Sequence, residues 1–296
     1  FNHFAYGIEK HPLAIRHFLR HFKTKQGKYP DQILLLGKSI DINSSRKTPA
    51  NHARNLVPTI GYPPADNLLA LKLESPDDYK PLVELSRIAA ETNQQVDDFL
   101  DKVQIYENEP PAAWMKYFMH FGGGINSYEQ TTFESYLRNY ETIIEDTLMG
   151  AYVATFLKKT SDPIQITTSD SIRNMINNGA TMLTFFGHGY AGGFDQDIDE
   201  PSAYTNATRY PMIIANSCYS GNIHTASTES VSEKWILIPN KGAIAFLASV
   251  SEGYPSLLNK FSTSFYKNIA YKSYGKALGT IFKNTIEEHV TNATNQ

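Results

Sequence analysis

Two apolar runs, MLTFF at 182–186 and PMIIA at 211–215, constrain the fold of this chain more than any other feature. Each is short, bounded by small or turn-forming residues, and apolar throughout rather than alternating. Such a run fits a strand covered on both faces, as in a parallel sheet between helical layers. The first leads into Gly187-His188-Gly189 and the second into Asn216-Ser217-Cys218. A histidine and the sole cysteine therefore stand just past the carboxyl ends of two strands, where open α/β sheets form their ligand crevices. If the strands are neighbours, thiol and imidazole face each other across one crevice.

The rest of the chain supplies helices and further strands in alternation. Residues 11–22, with Pro12 in the first turn and Leu13, Ile15, Phe18, Leu19 and Phe22 apolar, read as an amphipathic helix. Strands are expected at 33–36, 68–73, 82–85, 114–121, 163–167 and 242–249, and a long proline-containing loop at 38–66. Helices are expected at 93–106, 169–177, 230–237, 261–270 and 276–290. The span 129–157 reads as a long helical region broken near Gly150. Strands alternating with helices predict an α/β fold with a mainly parallel sheet. Glu109-Pro110-Pro111 is the clearest punctuation, so two subdomains are expected, 1–109 and 110–296.

Composition narrows the partners. A net charge of −3 gives no reason to expect a nucleic-acid surface, and no apolar run is long enough to span a bilayer. The chain opens at Phe1 rather than Met and reads as a fragment of a longer protein. One cysteine excludes an internal disulfide and any multi-cysteine metal site. Alone, Cys218 could be an inert core residue or a nucleophile.

Chemistry favours the second. A cysteine attacks as its thiolate, and a nearby histidine both promotes ionisation and later protonates the leaving amine. Bare backbone at Gly189 can offer its N–H to an oxyanion, and the Cys218 N–H is the natural second donor. No cofactor is required. Asp195, Asp197, Asp199 and Glu200 follow the histidine; alternating carboxylates would suit calcium as a structural ion, although the spacing lacks the features of an EF-hand loop and also suits a solvated loop. His224 has no ligand partner at zinc spacing, and His3, His11, His17, His21 and His52 read as surface or helix-face residues. Lys38 in GKS lacks the upstream glycine of a phosphate loop.

FFGHG followed by MIIANSCYSGN resembles the His-Gly and Cys signatures of caspase-like cysteine peptidases, most closely the gingipain family. FNHFAYGIEKHPLAIRHF, QILLLGK, ADNLLALKL and NKGAIAFLASVSEGY extend the likeness in the same order over nearly the whole chain. The resemblance implies a caspase-like three-layer αβα fold of two subdomains, the second carrying Cys218 as nucleophile, His188 as base, and the Gly189 and Cys218 amides as oxyanion hole. It implies a protein or peptide substrate, and a secreted or cell-surface bacterial protein with a prosegment or secretion-system components as partners. Gingipains also bind calcium.

The chain departs from the family in three places. The carboxylate that orients the histidine is expected just before the glycine-rich turn, where His120-Phe121-Gly122 stands; Glu129, the nearest downstream acid, reads as a solvated first-turn residue. No acid stands at Thr132-Phe133 to favour basic substrates, and Val250, Tyr254 and Pro255 give the expected specificity segment an apolar or mixed lining. Ser86-Arg87 replaces Gly-Arg. The leading expectation is a cysteine endopeptidase. A sortase-like transpeptidase of type IX secretion and a non-catalytic binding module are the alternatives.

Overall fold

The computed structural model describes residues 1–166, 170–190, 192–198, 200–227 and 229–294. These form two compact units. One comprises 1–92, 223–227 and the chain from 275 onward; the other comprises 93–222 and 228–274. The division after Thr92 differs from the expected split at 109/110. Helix Asn93–Asn108 belongs with the second unit because buried Lys102 donates to the carbonyls of Ile236 (2.6 Å), Lys241 (3.2 Å) and Ala243 (3.1 Å). The final helix, Leu278–Thr294, belongs with the first, where Thr280 donates to Glu84 (2.7 Å).

In the first unit, strands Gln32–Leu36 and Glu84–Ile88 pair in parallel. Helix Leu13–Gln26 helps to build their core around Leu19, Ala70, Leu73 and Val83. The strand expected at 68–73 does not form. Asp66–Leu69 is a 3₁₀ turn, and the carbonyls that a sheet would have paired are taken by two guanidinium groups instead. Arg16 donates to Leu68 (2.6 Å), Leu71 (2.7 Å) and Lys72 (3.0 Å), and Arg20 to Leu73 (2.8 Å). The 38–66 loop contains two short helices, Ile42–Lys47 and Pro49–Arg54, capped by Asp41 and Thr48. Arg87 closes it with a bidentate bond to Asp66 (2.6 and 2.8 Å) and further bonds to the Gly37 and Val57 carbonyls. Burial alone would raise the Asp66 carboxyl; the Arg87 guanidinium instead holds it below its ordinary value.

The second unit is built on five parallel strands in the order Ala245–Ala248, Met212–Asn216, Met182–Phe186, Tyr117–Gly122 and Tyr152–Leu157. Alternation along the strands sends side chains to two helical layers. Met119, Phe121, Leu183, Phe185, Ile213 and Ala215 pack with Ile172 and Ile176 of helix Asp170–Asn178 and with Val231 and Trp235 of helix Val231–Leu237. Phe186 and His120, on the other face, meet Phe133 and Tyr140 of helix Ser127–Glu145, and His120 also meets Tyr266 of helix Pro255–Lys267. This is the expected αβα layering. The helical region expected across 129–157 ends at Glu145, and YVATFL at 152–157 is an edge strand. Its β-branched and aromatic residues suit a pleated surface better than a helix. Expected strand 163–167 shrinks to Gln165–Ile166; Thr167 and Ser169 lie outside the described residues.

Arg87→Met would strand the Asp66 carboxylate, whose side chain is only 13% exposed. It should cost about 3–5 kcal/mol of stability, read as a lower urea midpoint; an unchanged midpoint would show that the pair is not structural.

Candidate active site

The histidine and cysteine strands are neighbours in register, with Phe186 opposite Asn216. The pairing continues past the strand ends, where the Gly187 N–H donates to the Asn216 carbonyl (3.2 Å). His188 and Cys218 each stand two residues beyond that matched pair. Gly189 comes so close to the cysteine turn that an added Cβ would lie 2.6 Å from the Ser217 side chain and 2.9 Å from the Cys218 carbonyl. No larger residue fits there without separating the turns.

Backbone hydrogen bonding also sets the direction of the Gly189 N–H. Gly189 and Tyr190 form a short antiparallel ladder with Gly193 and Phe194. The Asp195 N–H donates to the His188 carbonyl (3.0 Å), which makes Gly189↔Phe194 a pair that exchanges no bonds of its own. The Gly189 N–H therefore points off the outer edge of this hairpin, as an oxyanion donor must.

Cys218 is half-buried, so the thiol is not sealed into the core. Its Sγ accepts the Gly253 N–H (3.3 Å). The chain beyond strand Ala245–Ala248 wraps this turn, with the Tyr219 N–H donating to Ser251 (3.0 Å) and the Gly221 N–H to Ser249 (2.9 Å). Tyr219 takes a left-handed conformation at φ +57°. From beneath, Asn216 Oδ1 accepts the Ser262 hydroxyl (2.5 Å), and Ser217 bonds Ser220 (2.8 Å).

His188 has a carboxylate partner, and it is Glu129. His188 Nε2 and Glu129 Oε2 are 2.9 Å apart. Asn126 caps helix Ser127–Glu145 by accepting the Glu129 N–H (3.0 Å), while the Glu129 carboxylate reaches back to the Ile125 N–H (3.0 Å). Burial pushes the Glu129 carboxyl up, but the Ile125 amide, His188 and Asn126 outweigh it and hold the group below its ordinary value. Phe133 turns an edge toward the His188 ring, with centroids 6.4 Å apart. The expectation that Glu129 is merely a solvated first-turn acid is thus corrected. Its position at the third residue after Asn126, just past a triple glycine, was the available signal.

His120, at the place where an orienting acid was expected, has a different role. Fully buried, its Nε2 bonds Tyr266 Oη (2.8 Å), which in turn bonds Thr184 Oγ1 (2.6 Å). Burial pushes its pKa down to about 3. His224 is likewise buried, bonded to Ser39 in the first unit, and pushed down to about 4, mainly by burial. At Thr132 and Phe133, Phe133 is buried, and the Thr132 hydroxyl bonds the Tyr128 carbonyl (2.8 Å).

The acidic segment does not suit a cation. Asp195 is buried, with its oxygens on the Gly124 N–H (2.7 Å) and Gln196 N–H (3.0 Å) and the Lys158 ammonium 3.7 Å away. A bound cation would be repelled by that ammonium. Asp197 accepts the Ile198 N–H (3.0 Å), and its carboxyl is pushed up to about 6, first by burial and also by Glu200. Glu200 pairs with Lys234 (2.9 Å). Asp199 lies outside the described residues. Among the described residues, no three acidic, histidine or cysteine side chains gather as a metal would need. The donors present do not fit calcium.

The model of a family described as Peptidase family C25 matches residues 1–296. The chain belongs to peptidase family C25. Its fold is similar to the crystal structure of the Arg-specific cysteine proteinase gingipain R, with a TM-score of 0.72, 15% identity, and coverage of 94% of this chain and 63% of that one. The complex of Porphyromonas gingivalis RgpB pro- and mature domains gives a TM-score of 0.72 at 14% identity, over 95% of this chain and 64% of that one. The C25 chain thus spans a little under two thirds of the solved structures it matches. No curated protein matches it in sequence.

The assignment of His120 to structure has a measurable consequence. Its native pKa is depressed, so from about pH 6.5 down toward 3 the unfolded chain takes up a proton that the native state refuses. Stability should therefore fall as the pH drops through that window. His120→Gln should flatten the decline in urea midpoint between pH 7 and pH 4; a parallel decline in both proteins would contradict the assignment.

Proposed function

We propose that this C25 chain is the catalytic part of a cysteine endopeptidase, with Cys218 as nucleophile, His188 as base and Glu129 as the group that orients the histidine. The observation that carries this reading is the Glu129–His188 bond at the edge of the cysteine strand's neighbour. It engages Nε2 and so leaves Nδ1 to work toward the thiol. A non-catalytic binding module would have no need of a carboxylate bonded to a half-exposed histidine.

The chemistry proceeds in two halves. Nδ1 of His188 takes the thiol proton, and the Cys218 sulfur adds to the substrate carbonyl carbon. The resulting oxyanion is held by the Gly189 and Cys218 N–H groups. As the tetrahedral species collapses, the C–N bond breaks and the imidazolium protonates the departing amine, leaving a thioester. His188 then takes a proton from water, whose oxygen attacks the thioester; the C–S bond breaks and the proton returns to sulfur. The negative Glu129 stabilises the imidazolium in both halves and fixes the ring's orientation.

The substrate class follows from what surrounds the thiol. Ser249, Ser251 and Gly253 engage the cysteine turn through their backbones, and Tyr254 beside them is largely exposed. With Val250 and Pro255 flanking, this segment suits small or apolar side chains on the amino side of the scissile bond, rather than arginine or lysine. The likeness to a complex of pro- and mature domains supports a prosegment as partner. Among the described residues no helix is long and apolar enough to cross a membrane, and C25 membership supports a secreted or cell-surface setting.

Assays on a fluorogenic peptide library should show cleavage after small or apolar residues that is lost in Cys218→Ala. Glu129→Gln should lower kcat by about tenfold to a hundredfold with little change in KM. Turnover by Cys218→Ala, or strict Arg or Lys preference, would overturn the respective part of the reading. Product analysis with an added amine separates hydrolysis from transpeptidation.

A further inference from the structure

Behind the proposed site, a single buried carboxylate joins three strand ends. A side chain at either Gly123 or Gly187 would overlap Asp195 Oδ1, so both glycines make room for this group. Asp195 Oδ2 accepts the Gly124 N–H (2.7 Å), in the turn that leads through Asn126 to Glu129. The Asp195 N–H donates to the carbonyl of His188 itself (3.0 Å). The two glycine turns also meet directly, the Gly123 N–H donating to Phe186 (2.8 Å). Lys158 follows the edge strand and donates its N–H to Gly122 (2.7 Å). Its buried ammonium stands 3.7 Å from Asp195 Oδ2 and makes no hydrogen bond among the described residues.

Such a group costs stability to bury unless it is well paired. A longer turn or an apolar filler could close the same space more cheaply. What the carboxylate adds is a simultaneous hold on the backbones that aim Glu129 and His188. We propose that Asp195, paired with Lys158, is the positioning residue of the site, fixing the glutamate turn and the histidine turn in one mutual geometry. It touches neither substrate nor thiol and acts through the two turns. This role rests on the reading of Glu129, His188 and Cys218 as the reacting group.

The test is the rate of Cys218 alkylation by iodoacetamide at pH 7, which reports how well His188 assists the thiol, together with kcat and KM. The variants are Asp195→Asn and the double change Asp195→Asn with Lys158→Met, the second removing the ammonium that the first leaves unpaired. His188→Ala sets the unassisted rate. The expectation is that the double variant melts close to wild type yet alkylates about tenfold more slowly at pH 7, approaching His188→Ala. At pH 10, where the thiol ionises unaided, it should react fully. Its kcat should fall by a similar factor with KM within about twofold. Either folded variant reacting at the wild-type rate would overturn the positioning role and leave the ion pair as packing alone. A wild-type rate no faster than that of His188→Ala would overturn the catalytic assignment, and the positioning role with it.

Discussion

The parallel pairing of the histidine and cysteine strands is the constraint on which the site depends. Phe186 opposes Asn216, and the two functional residues overrun that pair by the same distance along the chain. Neighbouring strands lie about 4.8 Å apart, so equal overhangs start the histidine and cysteine turns from adjacent points of the sheet edge. A one-residue slip would turn one strand's side chains to the opposite face. Because both strands are covered on both faces, such a slip would also exchange two different helical linings. Core packing on the strands therefore enforces the register of the two turns.

Above the strand ends the restraint passes from side chains to backbone. Gly189 abuts the cysteine turn, Gly123 and Gly187 abut Asp195, and the chain after Ala248 hydrogen-bonds to Tyr219, Gly221 and the thiol. Beneath the strands, the His120–Tyr266–Thr184 bonds and the stacked Tyr140 and Tyr266 rings fill the helix-facing layer with polar groups, most of them satisfied. His188 and Cys218 thus stand in short turns held by backbone hydrogen bonds beyond the packed strand ends.

The sequence was most legible where a residue's environment is one-sided or fully closed. The five-residue runs of the histidine and cysteine strands and the helix expected at 230–237 formed within a residue of expectation, and the helix after Pro12 formed but runs four residues further, to Gln26. Legibility failed where long-range partners replaced local ones. The leucines of 68–73 suggested a strand, yet Arg16 and Arg20 satisfy that segment's carbonyls from more than 50 positions away. YVATFL was absorbed into a preceding helical pattern because nothing local announces an edge strand. Asp195 read as a loop acid; its burial depends on glycines and a lysine from three separate strand ends.

The chain alone determined the α/β class, the two strand-end residues Cys218 and His188, and the glycine beside them, because these follow from short-range patterns: closed apolar runs, turn residues and side-chain chemistry. Tertiary structure alone decided that Glu129 rather than the 120 region bonds the histidine, that His120 is a neutral core residue, and that Asp195 of the acidic segment meets a lysine. Each of those outcomes depends on which groups meet across 37 to 146 positions of sequence, as in Lys158 with Asp195 and His120 with Tyr266. No local pattern carries that information, because a carboxylate's role is set by the donor it meets, and the sheet chooses the donor.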